Sequence, residues 1–160
     1  MIKHRVFLAL GSNLGDKEAT IHQALHYIQE QIGNIVRQSA LCVTPPWGFE
    51  SNNSFVNCVI ECHTMLSPEM LLKSTQSIER EMGRTEKSVN HCYHDRIIDI
   101  DILLYDKLQV RTDHLQIPHP LMLDRDFVIN PLSEILGEET TDMIAFIGKT
   151  IKKRSSMVEP

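Results

Sequence analysis

The chain has 160 residues, 42% of them apolar and 23% charged, and 16 Lys and Arg stand against 21 Asp and Glu for a formal net charge of -5. A chain of this order makes one domain, expected over residues 1–160, and buries about two-thirds of the surface its unfolded form exposes. The acidic balance argues against a broad nucleic-acid landing surface, and an N-terminal apolar run already broken at Gly11, with no 18-residue apolar stretch elsewhere, argues against a signal peptide or membrane span; the expected setting is the cytoplasm and the expected state a monomer.

Val6 to Leu10 is a continuous apolar run that reads as a buried strand, closed by Gly11-Ser12-Asn13. Gly11 to Asp16 lacks the Lys-Ser/Thr of a phosphate loop and reads as a strand-to-helix turn with Asp16 as the cap. From Lys17, the residues Ile21, Leu25, Ile28 and Ile32 recur at helical spacing, with Gly33-Asn34 as the stop. Ile35 to Val43 and Phe55 to Cys62 read as strands. Thr44 to Ser54 between them contains Pro45, Pro46 and Gly48 and is long for a hairpin, which marks it as a functional segment. Ser67-Pro68 opens a second helix, with Leu71, Ile78 and Met82 as its apolar stripe and Gly83 as its end. Ile97 to Tyr105 is a strand. The order strand, helix, strand, strand, helix, strand predicts an α+β fold with a ferredoxin-like split β-α-β core and an antiparallel sheet. From Asp106 onward the pattern predicts a small C-terminal hairpin, a proline-punctuated loop and one or two helices, of which Thr141 to Ile151 is the clearest.

In Ile97 to Leu104 the period of two puts Ile98, Ile100, Ile102 and Leu104 on one face and Asp99 and Asp101 on the other. Carboxylates two apart on a strand stand roughly 6–7 Å apart at the backbone, near enough to share or bridge magnesium. A solvated strand face explains most D-x-D stretches, so the neighbours decide. Arg84 and Arg96 flank the polar segment Thr85 to Asp95 and bring two guanidinium forks, suited to phosphate oxygens, near one end of that strand. His119 and Arg125 add two cations in a stretch stiffened by Pro118 and Pro120. Phe55 and Asn57 share a strand face, a flat apolar surface beside an amide that can donate and accept, which suits a planar heterocycle, although core packing is the commoner role of such a phenylalanine. His22 and His26 lack the Glu and third ligand of a zinc protease and read as exposed helix residues. His91-Cys92-Tyr93-His94 is too compact to wrap one zinc ion. Cys42, Cys58, Cys62 and Cys92 form no CxxC pair, and Cys58 and Cys62 on one strand would stand roughly 13 Å apart, so all four are expected as reduced thiols.

Taken in order, Gly11-Ser12-Asn13-Leu14-Gly15, Thr44-Pro45-Pro46-Trp47-Gly48, Phe55-Val56-Asn57, Gln76-x-x-Glu79, Gly83-Arg84, Asp95-Arg96-x-x-Asp99-x-Asp101, Pro118-His119-Pro120 and Arg125-x-Phe127 resemble the 6-hydroxymethyl-7,8-dihydropterin pyrophosphokinase family of folate biosynthesis. The resemblance runs from about Phe7 to Phe127 and is specific as an ensemble. It implies ATP as co-substrate, two magnesium ions, and transfer of the β,γ-pyrophosphoryl unit to the pterin's hydroxymethyl oxygen with release of AMP. On this chain it assigns Asp99 and Asp101 to the metal, and Arg84 and Arg96 to the transferring phosphates. It assigns Gln76, Glu79, His119 and Arg125 to ATP, and Thr44, Pro45, Pro46, Trp47, Phe55, Asn57 and Phe127 to the pterin, with Phe55 and Phe127 as the stacking pair. The general base stays open between Asp99 and a metal-bound oxygen. A different nucleotide-dependent transferase on the same carboxylates, or a ligand-binding regulatory module without turnover, are the alternatives.

Overall fold

The central strand β1 (His4–Ser12) is apolar on both faces, because it is flanked by strands on both sides and covered above and below. The computed structural model describes residues 3–45, 54–83 and 97–157. β1 pairs antiparallel with β4 (Phe55–Thr64) on one side and β5 (Asp99–Tyr105) on the other. β2 (Gly33–Gln38) and β3 (Cys42–Thr44) both pair with the outer side of β4. The path β2-β4-β1-β5 is the ferredoxin-like order, with α1 (Lys17–Gln31) and α2 (Pro68–Glu81) packed on one face. Val6, Leu8 and Leu10 point to that face and meet Ile21, Ile28, Leu71 and Ile78, all within 2% of complete burial. Each such side chain contributes roughly 1.5–3 kcal/mol by leaving water.

Both helices start where the cap chemistry says. The Asp16 carboxylate accepts from the Ala19 amide at 3.2 Å and the Ser67 hydroxyl accepts from the Met70 amide at 3.2 Å, with Pro68 in the first turn. Gly83 follows α2 at φ +98°, a conformation that costs glycine little. Gly33 is different: it is the first residue of β2 rather than a helix stop in a turn, and a Cβ there would collide with the His63 carbonyl.

Three expectations need correction. Gly11 and Ser12 belong to β1, so the turn is confined to residues 13–16. The strand expected over Ile35 to Val43 is broken at residues 39–41, where Ser39 turns its side chain into the sheet. Its amide donates to the Val59 carbonyl and its hydroxyl accepts from the Val59 amide at 3.0 Å, replacing a ladder partner. In β5 the register slips between Phe7 and Leu8 of β1. Leu104 therefore leaves the face of Ile98, Ile100 and Ile102 and packs with Leu103 on the opposite side, while Tyr105 takes its place.

The second face is covered by α3 (Asp126–Leu136) and α4 (Thr140–Met157), whose Val128, Leu132, Ile135, Met143 and Ile147 pack on Phe7, Val59, Leu103 and Leu104. α4 extends the helix expected over Thr141 to Ile151, and α3 forms although Pro131 lies inside it. Between β5 and α3 lies the small hairpin β6 (Val110–Arg111) and β7 (Gln116–Ile117). Where this face meets α4, Glu61 is 3% exposed and takes Arg5 Nε at 2.8 Å, Arg37 Nε at 3.2 Å and His63 Nε2 at 3.1 Å, and Arg5 also reaches Glu139 at 2.8 Å. Burial pushes the Glu61 carboxyl up, but its hydrogen bonds from Arg5 and His63 and the charges of Arg5 and Arg37 hold it below the usual carboxylate range. The other end of the face is left to polar groups.

Candidate functional site

Residues directly opposed in an antiparallel pair share a face. Cys42 opposes Asn57, Asn57 opposes Gly11, and Gly11 opposes Asp99, so one row crosses β3, β4, β1 and β5 on the face away from α1 and α2. Asp101 stands two residues further along β5 on the same face, opposite Ala9, and Thr44 opposes Phe55. Two strand spacings separate Asn57 from Asp99, about 10 Å. A Cβ on Gly11 would stand 3.0 Å from Asn57 Oδ1 and 3.5 Å from Phe55 Cδ1. With no side chain at Gly11, the Asn57 amide oxygen and the edge of the Phe55 ring come close over the β1 backbone between β4 and β5.

The Asn57 amide is oriented by its surroundings. Its Nδ2 donates to Thr44 Oγ1 at 2.7 Å and to the Cys42 carbonyl at 3.5 Å, so both N–H groups face β3 and Oδ1 is turned toward Gly11 as an acceptor. The sequence allowed an amide that both donates and accepts; the fold commits it to accepting on the side that faces Gly11.

At the β5 edge, the His119 amide donates to the Leu103 carbonyl at 3.0 Å, which fastens the 117–120 segment to the aspartate strand. His119 Nδ1 accepts from the Leu121 amide at 3.2 Å. Burial, reinforced by the Arg125 charge and opposed by Asp99, pushes the imidazole down to about 4, so at neutral pH it is uncharged with its proton on Nε2. Arg125 is 8% exposed, opens α3, and holds its Nη1 3.8 Å from Asp101 Oδ2 and its guanidinium carbon 5.7 Å from the centre of the Phe127 ring. Beside Asp101 and His119 a cavity of about 280 Å³ opens toward Leu72, Ile100, His114 and Pro120. Gln76 lies one helical turn from Leu72 on α2 and is half-buried. Glu79 is 9% exposed and accepts from the Ile100 amide at 2.7 Å, tying α2 to the outer edge of β5. Among the described residues no group of three or more His, Cys, Asp or Glu side chains gathers around one point. Asp99 and Asp101, half-buried and on one face, are the donor set magnesium uses when it keeps waters and shares substrate phosphates.

Residues 7–137 match the sequence model of the family described as 7,8-dihydro-6-hydroxymethylpterin-pyrophosphokinase (HPPK). The chain belongs to this family. A 2-amino-4-hydroxy-6-hydroxymethyldihydropteridine pyrophosphokinase of Porphyromonas gingivalis is 47% identical over 131 residues, 81% of this chain and 89% of that one. The Bacillus subtilis protein of the same name is 38% identical over 130 residues, 81% of this chain and 76% of that one. In fold the chain is similar to Plasmodium falciparum HPPK-DHPS, with a TM-score of 0.67 and 16% identity over 82% of this chain; it spans 39% of that longer chain.

Within this HPPK-family fold, the residues expected in the site fall into two groups. Thr44, Phe55, Asn57, Asp99, Asp101, Arg125 and Phe127 gather on or beside the Gly11 row, and His119 adjoins it at the β5 edge. Gln76 and Glu79 come from α2, behind that edge. Pro45 lies exposed beyond β3, while Pro46, Trp47, Arg84 and Arg96, with the 91–94 cluster, lie outside the described residues. Gly11, expected in the turn, lies in β1. Its pleat parity with Phe7 and Ala9 is the signal that would have put it on the site face. His22 and His26 are exposed, and Cys58 and Cys62 are free thiols that burial pushes up to about 12, which keeps them protonated and unreactive. No helix among the described residues is long and apolar enough to cross a membrane.

Proposed function

We propose that the chain transfers pyrophosphate from ATP to the hydroxymethyl oxygen of 6-hydroxymethyl-7,8-dihydropterin, releasing AMP, as a step of folate biosynthesis. The observation that carries the assignment of roles is the row Asn57-Gly11-Asp99: a heterocycle reader and a carboxylate pair about 10 Å apart across a glycine, the span of a bicyclic ring with a one-carbon arm. The pterin ring lies over Gly11 between Phe55 and Phe127, and Asn57 Oδ1 accepts from a ring N–H. Thr44 locks that amide, and the family resemblance assigns Pro45, Pro46 and Trp47 to the pterin as well. The nucleotide takes the cavity beside Asp101, with Gln76 on its α2 side and Glu79 holding the strand edge that forms its wall.

Pyrophosphoryl transfer asks a protein for in-line positioning and charge neutralisation. Asp99 and Asp101 would hold two magnesium ions, which supply charge to neutralise the phosphate oxygens. Arg125 sits 3.8 Å from Asp101, so it adds positive charge beside the same carboxylates. His119, kept neutral, donates from Nε2 to a phosphate oxygen and adds no charge at neutral pH. Arg84 and Arg96 bind the transferring phosphates from the segment between α2 and β5. The chain works as one pyrophosphokinase domain over residues 1–160, a cytoplasmic monomer on small molecules, without nucleic acid.

Replacing Asp99 or Asp101 by Asn tests this: each variant should stay folded by circular dichroism and lose magnesium-dependent turnover by at least about a hundredfold. Near-normal turnover in either would remove the metal assignment.

A further inference from the structure

We propose that Arg154, on the C-terminal helix α4, is a positioning residue that sets where His119 stands at the nucleotide cavity. Its Nη1 donates to the Pro118 carbonyl at 2.8 Å and its Nη2 donates to the Ile117 carbonyl, so one planar fork grips two consecutive carbonyls immediately before the histidine. The gripped segment needs an outside anchor. The connection from β5 to α3 runs over residues 106–125, and its regular structure is limited to the two-residue strands β6 and β7 and a three-residue 3-10 turn at Met122–Asp124. After the grip, the His119 amide reaches the Leu103 carbonyl and its Nδ1 takes the Leu121 amide, so fixing Ile117 and Pro118 fixes the imidazole plane. α4 holds the same segment a second time: Leu123, just beyond, packs against the helix at Gly148, where a Cβ would stand 4.0 Å from Leu123 Cδ1.

Arg154 sits half-buried with backbone carbonyls as its acceptors, and burial lowers its pKa, with the charge of Arg111 adding to the effect. A guanidinium placed so carries a desolvation cost that ordinary surface arginines avoid, and the two carbonyls offset it. Residue 154 also lies beyond residues 7–137, the part matched by the HPPK sequence model, so this control of the site comes from a helix outside the matched region. A lysine could satisfy one carbonyl but not hold the plane of both.

The inference rests on His119 serving the nucleotide, and the test separates the two. Arg154→Met, Arg154→Lys and His119→Ala are made singly in the full chain, together with the Arg154→Met, His119→Ala double variant. KM for ATP and pterin affinity by calorimetry are measured for each, and His119 imidazole 15N shifts for the parent and the variants that keep the histidine. Arg154→Met should raise KM for ATP about fivefold or more with pterin affinity within about twofold, Arg154→Lys should fall between it and the parent, and in the His119→Ala background the Arg154 effect should shrink to under about twofold. The 15N pattern of an Nδ1 acceptor should be lost in Arg154→Met. An unchanged 15N pattern, or an undiminished Arg154 effect in the His119→Ala background, overturns the inference. If His119→Ala leaves KM for ATP unchanged, the nucleotide role of His119 falls, and the 15N spectrum alone decides whether Arg154 positions it. Should Arg154→Met fail to fold, the same comparisons on Arg154→Lys decide.

Discussion

In the proposed pterin pocket much rests on one committed amide, Asn57, and one missing side chain, at Gly11. Both Asn57 N–H groups are spent within the fold, on Thr44 and Cys42. Asn57→Leu keeps size but removes the acceptor and leaves the Thr44 hydroxyl and a ligand N–H unserved, a cost on the order of 1–3 kcal/mol. Calorimetry should show pterin affinity falling by about tenfold or more with ATP affinity barely changed. Equal loss of both would make Asn57 a structural residue. Gly11→Ala puts a Cβ 3.0 Å from Asn57 Oδ1, tight enough that the amide must shift, in a backbone that alanine adopts freely. It should weaken pterin binding while leaving the melting temperature within a few degrees, and full-affinity binding would show that the ligand lies elsewhere. The Asp99-Asp101 alternation was legible from the sequence because both residues sit on one side of a period of two. The direction of the Asn57 amide was not, since it depends on β3 partners brought across the sheet.

At the scale of elements, the signals that are local in sequence survive into the structure. Ser67 caps α2 and Pro68 starts it, so Ser67→Ala should cost about 1 kcal/mol by urea denaturation with kcat unchanged, because the cap lies at the end of α2 away from Gln76 and Glu79. A stability loss near zero would mean that the Met70 amide finds water as good a partner. What the sequence could not show are features created by pairing. The slip opposite Phe7 and Leu8 that turns Leu104 to the far face is a property of two strands, and the Ser39 break exists because Val59 offers both an amide and a carbonyl to one serine. α3 was hidden for a related reason. Pro131 signals a helix break, yet Val128, Leu132 and Ile135 bury against Val59 and Leu103, and that burial outweighs a lost turn of hydrogen bonding.

Across the whole molecule, two buried titratable groups divide the acid response into separate windows. The folded His119 value of about 4 lies below its ordinary 6.5. Above pH 6.5 both states are neutral there; as pH falls toward 4 the unfolded chain takes the proton first and stability is lost, about 2 kcal/mol by pH 5. Glu61, held below its usual range, contributes fully above pH 4.5 and is lost only as pH falls through its lower folded value. Urea midpoints of the metal-free protein at pH 7 and pH 5 should therefore drop in the parent chain and drop much less in His119→Gln. An identical slope in the two would assign the acid response to other groups.

The proposed reaction moves a pyrophosphoryl unit, intact, from ATP to the pterin arm held over Gly11. Incubating the purified chain with ATP, Mg²⁺ and 6-hydroxymethyl-7,8-dihydropterin and identifying every nucleotide and pterin product tests it most directly. AMP and the pterin diphosphate should form in equal amounts, and at least about a hundredfold more slowly with Asp101→Asn. ADP with a pterin monophosphate, pyrophosphate with an adenylated pterin, or binding of both substrates without turnover would contradict it.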